Sequence, residues 1–162
     1  MKVELIDLKK RYQQEKSEIL KIIDSVLKKG HLIMTKEVYQ FEKAICKFTG
    51  AQFCSSLNSG TDALMMALWS SGIKKGDEVI TSSKSFIATI GAIVHVGAKP
   101  VLVDVGNDLN INADLIEKKI NRKTKAIVPV HWTGRMCDMD KIVFLAKKYH
   151  LKIIEDAAQA MG

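Results

Sequence analysis

Residues 78–105 read EVITSSKSFIATIGAIVHVGAKPVLVDV, and this stretch decides the fold. A short apolar run, EVITS, is followed by a helical pattern over 86–96, by Gly97, and by a second apolar run, KPVLVDV. These runs are nearly continuous in Val and Ile rather than alternating with polar residues, which is typical of strands covered on both faces. The stretch therefore predicts a strand, a helix and a second, parallel strand.

The same alternation continues on both sides of this stretch. Further strands are predicted at 51–57, 125–131 and 151–157, and further helices at 61–71, 113–120 and 139–149. Asn112 and Asp138 stand where the helices that follow them need N-cap residues. Five strand–helix alternations predict an α/β fold with a mostly parallel central sheet and helices on both faces.

The N-terminal part follows a different pattern, because its apolar residues recur at helical spacing. One helix is predicted to stop at Gly30, and a second is predicted to begin after Thr35 as N-cap and to end at Gly50. The second helix is expected to bury a stripe made of Val38, Phe41, Ile45 and Phe48. We therefore expect an N-terminal helical segment over 1–50 and an α/β domain over 51–162.

The composition limits the classes of function. With 47% hydrophobic and 27% charged residues, the chain resembles a globular domain and not a disordered one. It has neither an apolar run of roughly 18 residues nor an apolar signal core, so we expect a cytoplasmic protein without a membrane partner. Cys46, Cys54 and Cys137 lack CxxC spacing and the four histidines are scattered, so we expect free thiols and no metal site.

The formal net charge of +7 favours anionic partners, which range from nucleic acid to phosphorylated small molecules. The lysines are mixed with acids, as is typical of solvated helix faces. The chain also lacks a basic motif interleaved with aromatic residues. A nucleic-acid partner is therefore not expected.

Ligands of parallel α/β sheets bind at the carboxyl ends of the strands, so the strand-to-helix junctions are the candidate sites. The first junction is NSGTDA, 58–63. A small, glycine-containing turn that opens a helix offers free N–H groups and the positive end of the helix dipole, which suit a phosphate. Ser59 and Thr61 add hydroxyl groups around Gly60. The alternative is an ordinary capped turn.

Three other junctions carry chemistry-bearing residues. Phe86 follows a strand end, where its ring could lie against a planar ligand or pack in the core. His131 has no carboxylate or metal partner that the sequence identifies. Glu155 and Asp156 close an apolar strand, where neighbouring side chains point to opposite faces. One acid should therefore face the ligand edge, where it could hold a cationic ring nitrogen or cap the next loop.

Taken together, the motifs resemble the DegT-type family of nucleotide-sugar aminotransferases. The motifs occur in family order: IDLKKRY (6–12), NSGTDAL (58–64), SFIAT (85–89), GAKPVLVDV (97–105), TKAIVPVHWTG (124–134) with DMD (138–140), and IIEDAAQA (153–160). Each is weak alone, whereas their order and spacing together are specific. The resemblance covers essentially the whole chain but less than half of a typical family member.

The resemblance implies the aspartate-aminotransferase fold type and the cofactor pyridoxal 5'-phosphate. Ser59, Gly60 and Thr61 would contact the cofactor phosphate, and Phe86 would stack on the pyridine ring. Asp156 would be the catalytic carboxylate on the pyridine nitrogen. Gln159 would contact the phenolic oxygen. The implied reaction moves an amino group from an amino acid, usually glutamate, to a nucleotide-linked keto-sugar for surface-glycan or deoxyamino-sugar biosynthesis, in a homodimer.

Several family features have no counterpart in the chain. The family's lysine that holds the cofactor covalently would lie beyond Gly162, as would the small C-terminal domain, and Lys84 does not match that lysine's motif. Thr35 and Lys36 stand where members commonly have a glycine-proline pair. We expect an N-terminal portion that is inactive alone. The alternatives are a keto-sugar dehydratase of the same family, a non-catalytic anion-binding module, and an unrelated flavodoxin-like domain.

Overall fold

A computed structural model describes residues 6–161. In chain order its elements are α1 (Leu8–Lys29), α2 (Lys36–Thr49), α3 (Gly60–Ser70), β1 (Glu78–Ser82), α4 (Ile87–His95), β2 (Lys99–Val103), α5 (Ala113–Ile116), β3 (Thr124–Val128), α6 (Met139–Tyr149) and β4 (Lys152–Ile153). The chain divides into two compact units, with the division between Ser56 and Leu57. Among the described residues, no helix has the length and apolarity needed to cross a bilayer.

The first unit contains the two predicted N-terminal helices. The side chain of Asp7 caps α1 by accepting a hydrogen bond from the N–H of Lys10 at 2.9 Å. Gly30 ends α1 with φ of 68°, a left-handed conformation that glycine adopts without steric cost. Thr35 occupies the predicted N-cap position of α2, although its side chain makes no capping hydrogen bond.

The predicted burial of the apolar stripe on α2 is wrong for this unit. Phe41 and Phe48 are 56% and 65% exposed, and neither α1 nor α2 contains a buried residue. The reason is that two helices alone cannot cover their own apolar faces, which need a further layer to pack against.

The second unit is built on a four-stranded sheet. The strand order is β2-β1-β3-β4, and every neighbouring pair is parallel. This confirms the predicted parallel α/β architecture. Because all the strands run the same way, their carboxyl ends lie along one edge of the sheet, and the strand-to-helix junctions meet there.

Alternate residues of the central strands face two separate cores. Val79 and Ala126 contribute to a core with α3 and α4, whereas Ile80 and Ile127 contribute to a core with α5 and α6. These four side chains are fully buried, so both faces of the sheet are covered. The helices on both faces were predicted from the continuous Val/Ile runs.

Three predicted elements differ from those observed. Residues 51–57 form no strand, because no described segment offers the hydrogen-bonding partner that a strand requires. The helix predicted over 113–120 is the shorter α5, which tightens into a 3-10 turn over Glu117–Lys119. The predicted strand at 151–157 is reduced to β4 and an isolated bridge between Val130 and Asp156. Pro129 separates that bridge from the ladder, because proline has no N–H to donate.

Candidate functional site

One pocket lies at the carboxyl edge of the sheet, where four junctions meet. Five of the six residues proposed from sequence line it: Gly60, Thr61, Phe86, Asp156 and Gln159. The cavity measures about 200 Å³. His131 and Trp132 complete the wall that follows β3. The junctions that the sequence analysis considered separately therefore form one site.

The N-terminus of α3 closes one end of the pocket. The hydroxyl of Ser59 accepts a hydrogen bond from the N–H of Asp62 at 3.1 Å and donates one to the Asp62 carboxylate at 2.8 Å. Ser59 thus caps the helix and does not line the pocket. The N–H groups of Gly60 and Thr61 precede the first intrahelical hydrogen bond and remain available to a ligand. A Cβ atom placed on Gly60 would meet nothing within 4 Å, so the space beside this backbone is open.

Phe86 provides an aromatic wall. It occupies the N-cap position of α4 with an extended backbone, φ −67° and ψ 145°, and its carbonyl accepts a hydrogen bond from the N–H of Thr89. Its ring remains 70% exposed although it lines the pocket. Leaving this much apolar surface in water forgoes part of the roughly 1.5–3 kcal/mol that burial of a phenylalanine provides. A flat ligand against the ring would cover that surface.

Asp156 also lines the pocket, and hydrogen bonds fix both its backbone and its side chain. Its N–H donates to the Pro129 carbonyl at 2.9 Å, and its own carbonyl accepts from the N–H of His131 at 3.1 Å. Its Oδ2 accepts a 2.6 Å hydrogen bond from the hydroxyl of Thr89. Its Oδ1 has a longer contact, 3.3 Å, with the N–H of Ala158. Asp156 lines the pocket and Glu155 does not, as expected from strand alternation.

His131 has a carboxylate partner that the sequence analysis did not identify. Its Nε2 lies 2.9 Å from Oε2 of Glu155, and its Nδ1 accepts a hydrogen bond from the N–H of Cys137 at 3.2 Å. Because Nδ1 is an acceptor, the proton of the neutral ring belongs on Nε2 and is donated to Glu155. The imidazole is 4% exposed and joins the ends of β3 and β4. The partners are 24 residues apart, and no local pattern connects them.

Asn110, which the sequence analysis did not single out, holds the loop after His131. Its side-chain NH₂ donates to the carbonyls of Arg135 and Met136 at 3.0 and 3.1 Å, and its Oδ1 accepts from the N–H of Trp132 at 2.9 Å. Asn110 is 1% exposed. Its sequence neighbourhood, NDLNIN, looks like an ordinary polar loop and gives no sign of this role.

Gln159 is anchored by the same loop. Its Oε1 accepts a 2.7 Å hydrogen bond from the N–H of Thr133, which leaves the NH₂ group as the free end of the carboxamide. Gly134 has φ of 81°, and a Cβ atom there would lie 3.2 Å from the Gln159 carbonyl oxygen. A glycine at 134 thus satisfies both the left-handed backbone and the close approach. Beside this loop, the Lys84 Nζ lies 5.8 Å from the centroid of the Trp132 ring.

The pocket therefore presents four chemically different groups. Backbone donors stand at a positive helix end, an aromatic ring forms a wall, a carboxylate offers an acceptor and a carboxamide offers a donor. This combination suits a planar ligand that carries a phosphate, a cationic ring nitrogen and an anionic oxygen. Within residues 6–161, no three His, Cys, Asp or Glu side chains are grouped as metal ligands.

Comparison with known proteins places this site in context. A family model described as the DegT/DnrJ/EryC1/StrS aminotransferase family matches residues 13–162. The chain is 42% identical over 161 residues to the dTDP-3-amino-3,6-dideoxy-alpha-D-galactopyranose transaminase of Aneurinibacillus thermoaerophilus. That match covers 99% of this chain and 44% of that protein. The chain is also 40% identical over 161 residues to the UDP-2-acetamido-2-deoxy-3-oxo-D-glucuronate aminotransferase of Pseudomonas aeruginosa. That match covers 99% of this chain and 45% of that protein.

A solved structure is similarly close. The crystal structure of ntda from Bacillus subtilis with the bound cofactor PMP superposes with a TM-score of 0.90 at 38% identity, and the match covers 92% of this chain and 34% of that one. The chain thus spans less than half the length of the relatives that it matches.

Proposed function

The chain belongs to the DegT/DnrJ/EryC1/StrS aminotransferase family, and from this premise we propose that its pocket binds pyridoxal 5'-phosphate for amino-group transfer to a nucleotide-linked keto-sugar. The observation that carries the proposal is the convergence of Gly60, Thr61, Phe86, Asp156 and Gln159 on one cavity. Together these residues offer groups that suit the phosphate, the ring face, the ring nitrogen and the phenolic oxygen of the cofactor.

The groups present fit the cofactor. The free N–H groups of Gly60 and Thr61 would hold its phosphate at the positive end of α3. The exposed ring of Phe86 would cover one face of the pyridine. The free NH₂ end of Gln159, whose Oε1 is occupied by Thr133, would donate to the phenolic oxygen. Ser59 would contribute indirectly, because its hydroxyl is occupied in the helix cap.

Pyridoxal phosphate, when bound, supplies an electron sink that accepts the electrons released when an amino acid loses its α-proton. We propose that Asp156 is the catalytic carboxylate of this chain. Its negative charge beside the ring nitrogen would favour the protonated nitrogen, which strengthens the electron sink. Phe86 and the N-terminus of α3 would fix the plane and the phosphate end of the ligand, so that its reactive side faces the substrate.

The amino-acid donor in this proposal is glutamate, and the acceptor is a keto-sugar on a nucleotide. The nucleotide-linked sugars in the names of the two curated relatives support that acceptor class. A role in surface-glycan or deoxyamino-sugar biosynthesis in the cytoplasm belongs to the same proposal, as does a homodimer. We propose further that residues 1–50 form a helical segment and that residues 51–162 form part of the cofactor-binding large domain.

We also propose that the 162 residues do not complete the reaction alone. Among the described residues, no lysine lines the pocket. Lys84 lies beside the Trp132 ring instead. A lysine is needed as covalent anchor and proton carrier in this chemistry.

Binding of pyridoxamine phosphate (PMP) to the purified chain tests the proposal, since PMP binds without a covalent lysine. Calorimetric titration should give saturable binding that is tighter than that of inorganic phosphate. Asp156→Asn should weaken it by roughly tenfold, the scale of one charge-assisted hydrogen bond. The matched control Asp138→Asn, at the N-cap of α6, should leave PMP affinity unchanged.

Two outcomes would contradict the proposal. If FMN bound and PMP did not, the site would be a flavodoxin-like one. If the purified chain transferred the amino group of glutamate to a keto-sugar nucleotide, the claim that it is inactive alone would fall.

A further inference from the structure

A fully buried hydroxyl stands behind the pocket. Thr89 lies in the first turn of α4, is 1% exposed and does not line the cavity. Its Oγ1 donates to Oδ2 of Asp156 at 2.6 Å, across 67 residues of sequence. It also lies 2.7 Å from Oγ of Ser85, which does line the cavity.

The direction of these hydrogen bonds follows from proton counting. A carboxylate can only accept hydrogen bonds, so Thr89 must donate its single hydroxyl proton to Asp156. The 2.7 Å contact with Ser85 then requires Ser85 to donate to Thr89. The result is a chain of hydroxyl groups from Ser85 through Thr89 to Asp156, in which each donor polarises the next.

This arrangement is unlike that of a threonine that serves its own helix. A helical threonine commonly returns its hydroxyl proton to the backbone carbonyl one turn earlier. Thr89 instead meets the side chain of Ser85, four residues earlier, and directs its proton out of the helix. The bond fixes the rotation of the Asp156 carboxyl group, so that Oδ2 is occupied and Oδ1 keeps only the 3.3 Å contact with Ala158.

On the basis of the proposed function, we propose that Thr89 is a positioning residue that turns the Asp156 carboxylate toward the ring nitrogen of the bound cofactor. Thr89 does not line the cavity, so its effect on the ring nitrogen passes through Asp156. The consequence is selective: loss of the Thr89 hydroxyl should weaken the binding of a ligand that has a basic ring nitrogen. It should not change what the phosphate and the shape of the ring contribute to binding.

The test compares two ligands and two substitutions. The ligands are PMP and its 1-deaza analogue, in which a C–H replaces the ring nitrogen. Thr89→Val keeps the shape of the side chain but removes the donor, whereas Thr89→Ser keeps the donor. We expect Thr89→Val to weaken PMP binding about tenfold, and Thr89→Ser to stay within about twofold of the unsubstituted chain. All three chains should bind the deaza analogue alike.

The outcomes separate the possibilities. If Thr89→Val lost equal affinity for PMP and for the analogue, Thr89 would only support the shape of the pocket, and the inference would be wrong. Unchanged PMP affinity in Thr89→Val would also overturn it. Failure of the proposed function would appear earlier, as absence of PMP binding by the unsubstituted chain. The hydrogen bond itself is read without ligand: the Thr89 hydroxyl proton should exchange slowly in NMR spectra, and rapid exchange would count against the inference.

Discussion

Replacing Asn110 with alanine should loosen one wall of the pocket from a distance. Asn110 makes three hydrogen bonds to the backbone of residues 132–136 and is 1% exposed. At about 1 kcal/mol of net stability for each hydrogen bond, their removal should lower the free energy of unfolding by about 3 kcal/mol. That is a large effect for a single substitution and reflects the loss of three hydrogen bonds made by one buried side chain.

Urea denaturation followed by circular dichroism measures this effect. With a slope of about 2 kcal/mol per molar urea, the midpoint should fall by about 1.5 M. Asn112→Ala is the matched control, two residues along the chain: Asn112 caps α5 through one 3.0 Å hydrogen bond to the N–H of Asp114. Loss of that cap should lower stability by about 1 kcal/mol.

Asn110→Asp sharpens the comparison because it conserves volume. It turns a donor that faces two carbonyls into an acceptor, so at neutral pH it should destabilise at least as much as alanine does. Asn110→Ala should also weaken PMP binding more than Asn112→Ala, because Trp132 lines the pocket and Thr133 anchors Gln159. If Asn110→Ala unfolded no more easily than Asn112→Ala, the three hydrogen bonds would not be holding the loop, and the reasoning would be refuted.

Two further predictions concern titratable groups outside the pocket. Hydrogen bonds from Asn121 and Lys99 lower the pKa of Glu78 below its ordinary 4.5, so the ionised carboxylate adds stability above pH 4.5 that is lost as the pH falls through the folded-state pKa. The urea midpoint of Glu78→Gln should therefore fall less steeply with decreasing pH than that of the unsubstituted chain. An equally steep fall of the midpoint in both chains would contradict this prediction. Burial raises the pKa of Cys137 to about 11. In alkylation at pH 8 followed by mass spectrometry, Cys137 should therefore react far more slowly than the partly exposed Cys46 until urea unfolds the chain. Equal alkylation rates of the two thiols in the folded chain would contradict this prediction.

The fold could be read from sequence where local patterns decide it. Continuous Val/Ile runs gave the parallel sheet with two covered faces, and Asn112 and Asp138 do cap α5 and α6. The strand at 51–57 could not be judged in the same way. Its residues are compatible with a strand, but a strand exists only where a neighbour accepts its hydrogen bonds, and the sequence pattern does not reveal the neighbour.

The lining of the pocket was predictable because each lining residue proposed from sequence belongs to a short motif that opens a helix or follows an apolar run. The residues that hold the lining were not, since their partners lie 22 to 67 residues away. The sequence nevertheless contains a signal for Thr89. It precedes the buried Ala92 and Ile93 by one helical turn and therefore lies on the same core-facing side of the helix.

A hydroxyl on such a face needs a buried partner, because an unpaired one is costly. In the described part of the chain, no buried side-chain nitrogen or oxygen lacks a hydrogen bond. A polar residue at a core-facing position, one turn after a junction, can therefore be interpreted as a pointer to another polar side chain. In a parallel sheet that side chain is best sought at the carboxyl end of a nearby strand, where ligands also bind. By this reasoning the sequence indicates a partner for Thr89 near the pocket, and the structure identifies that partner as Asp156.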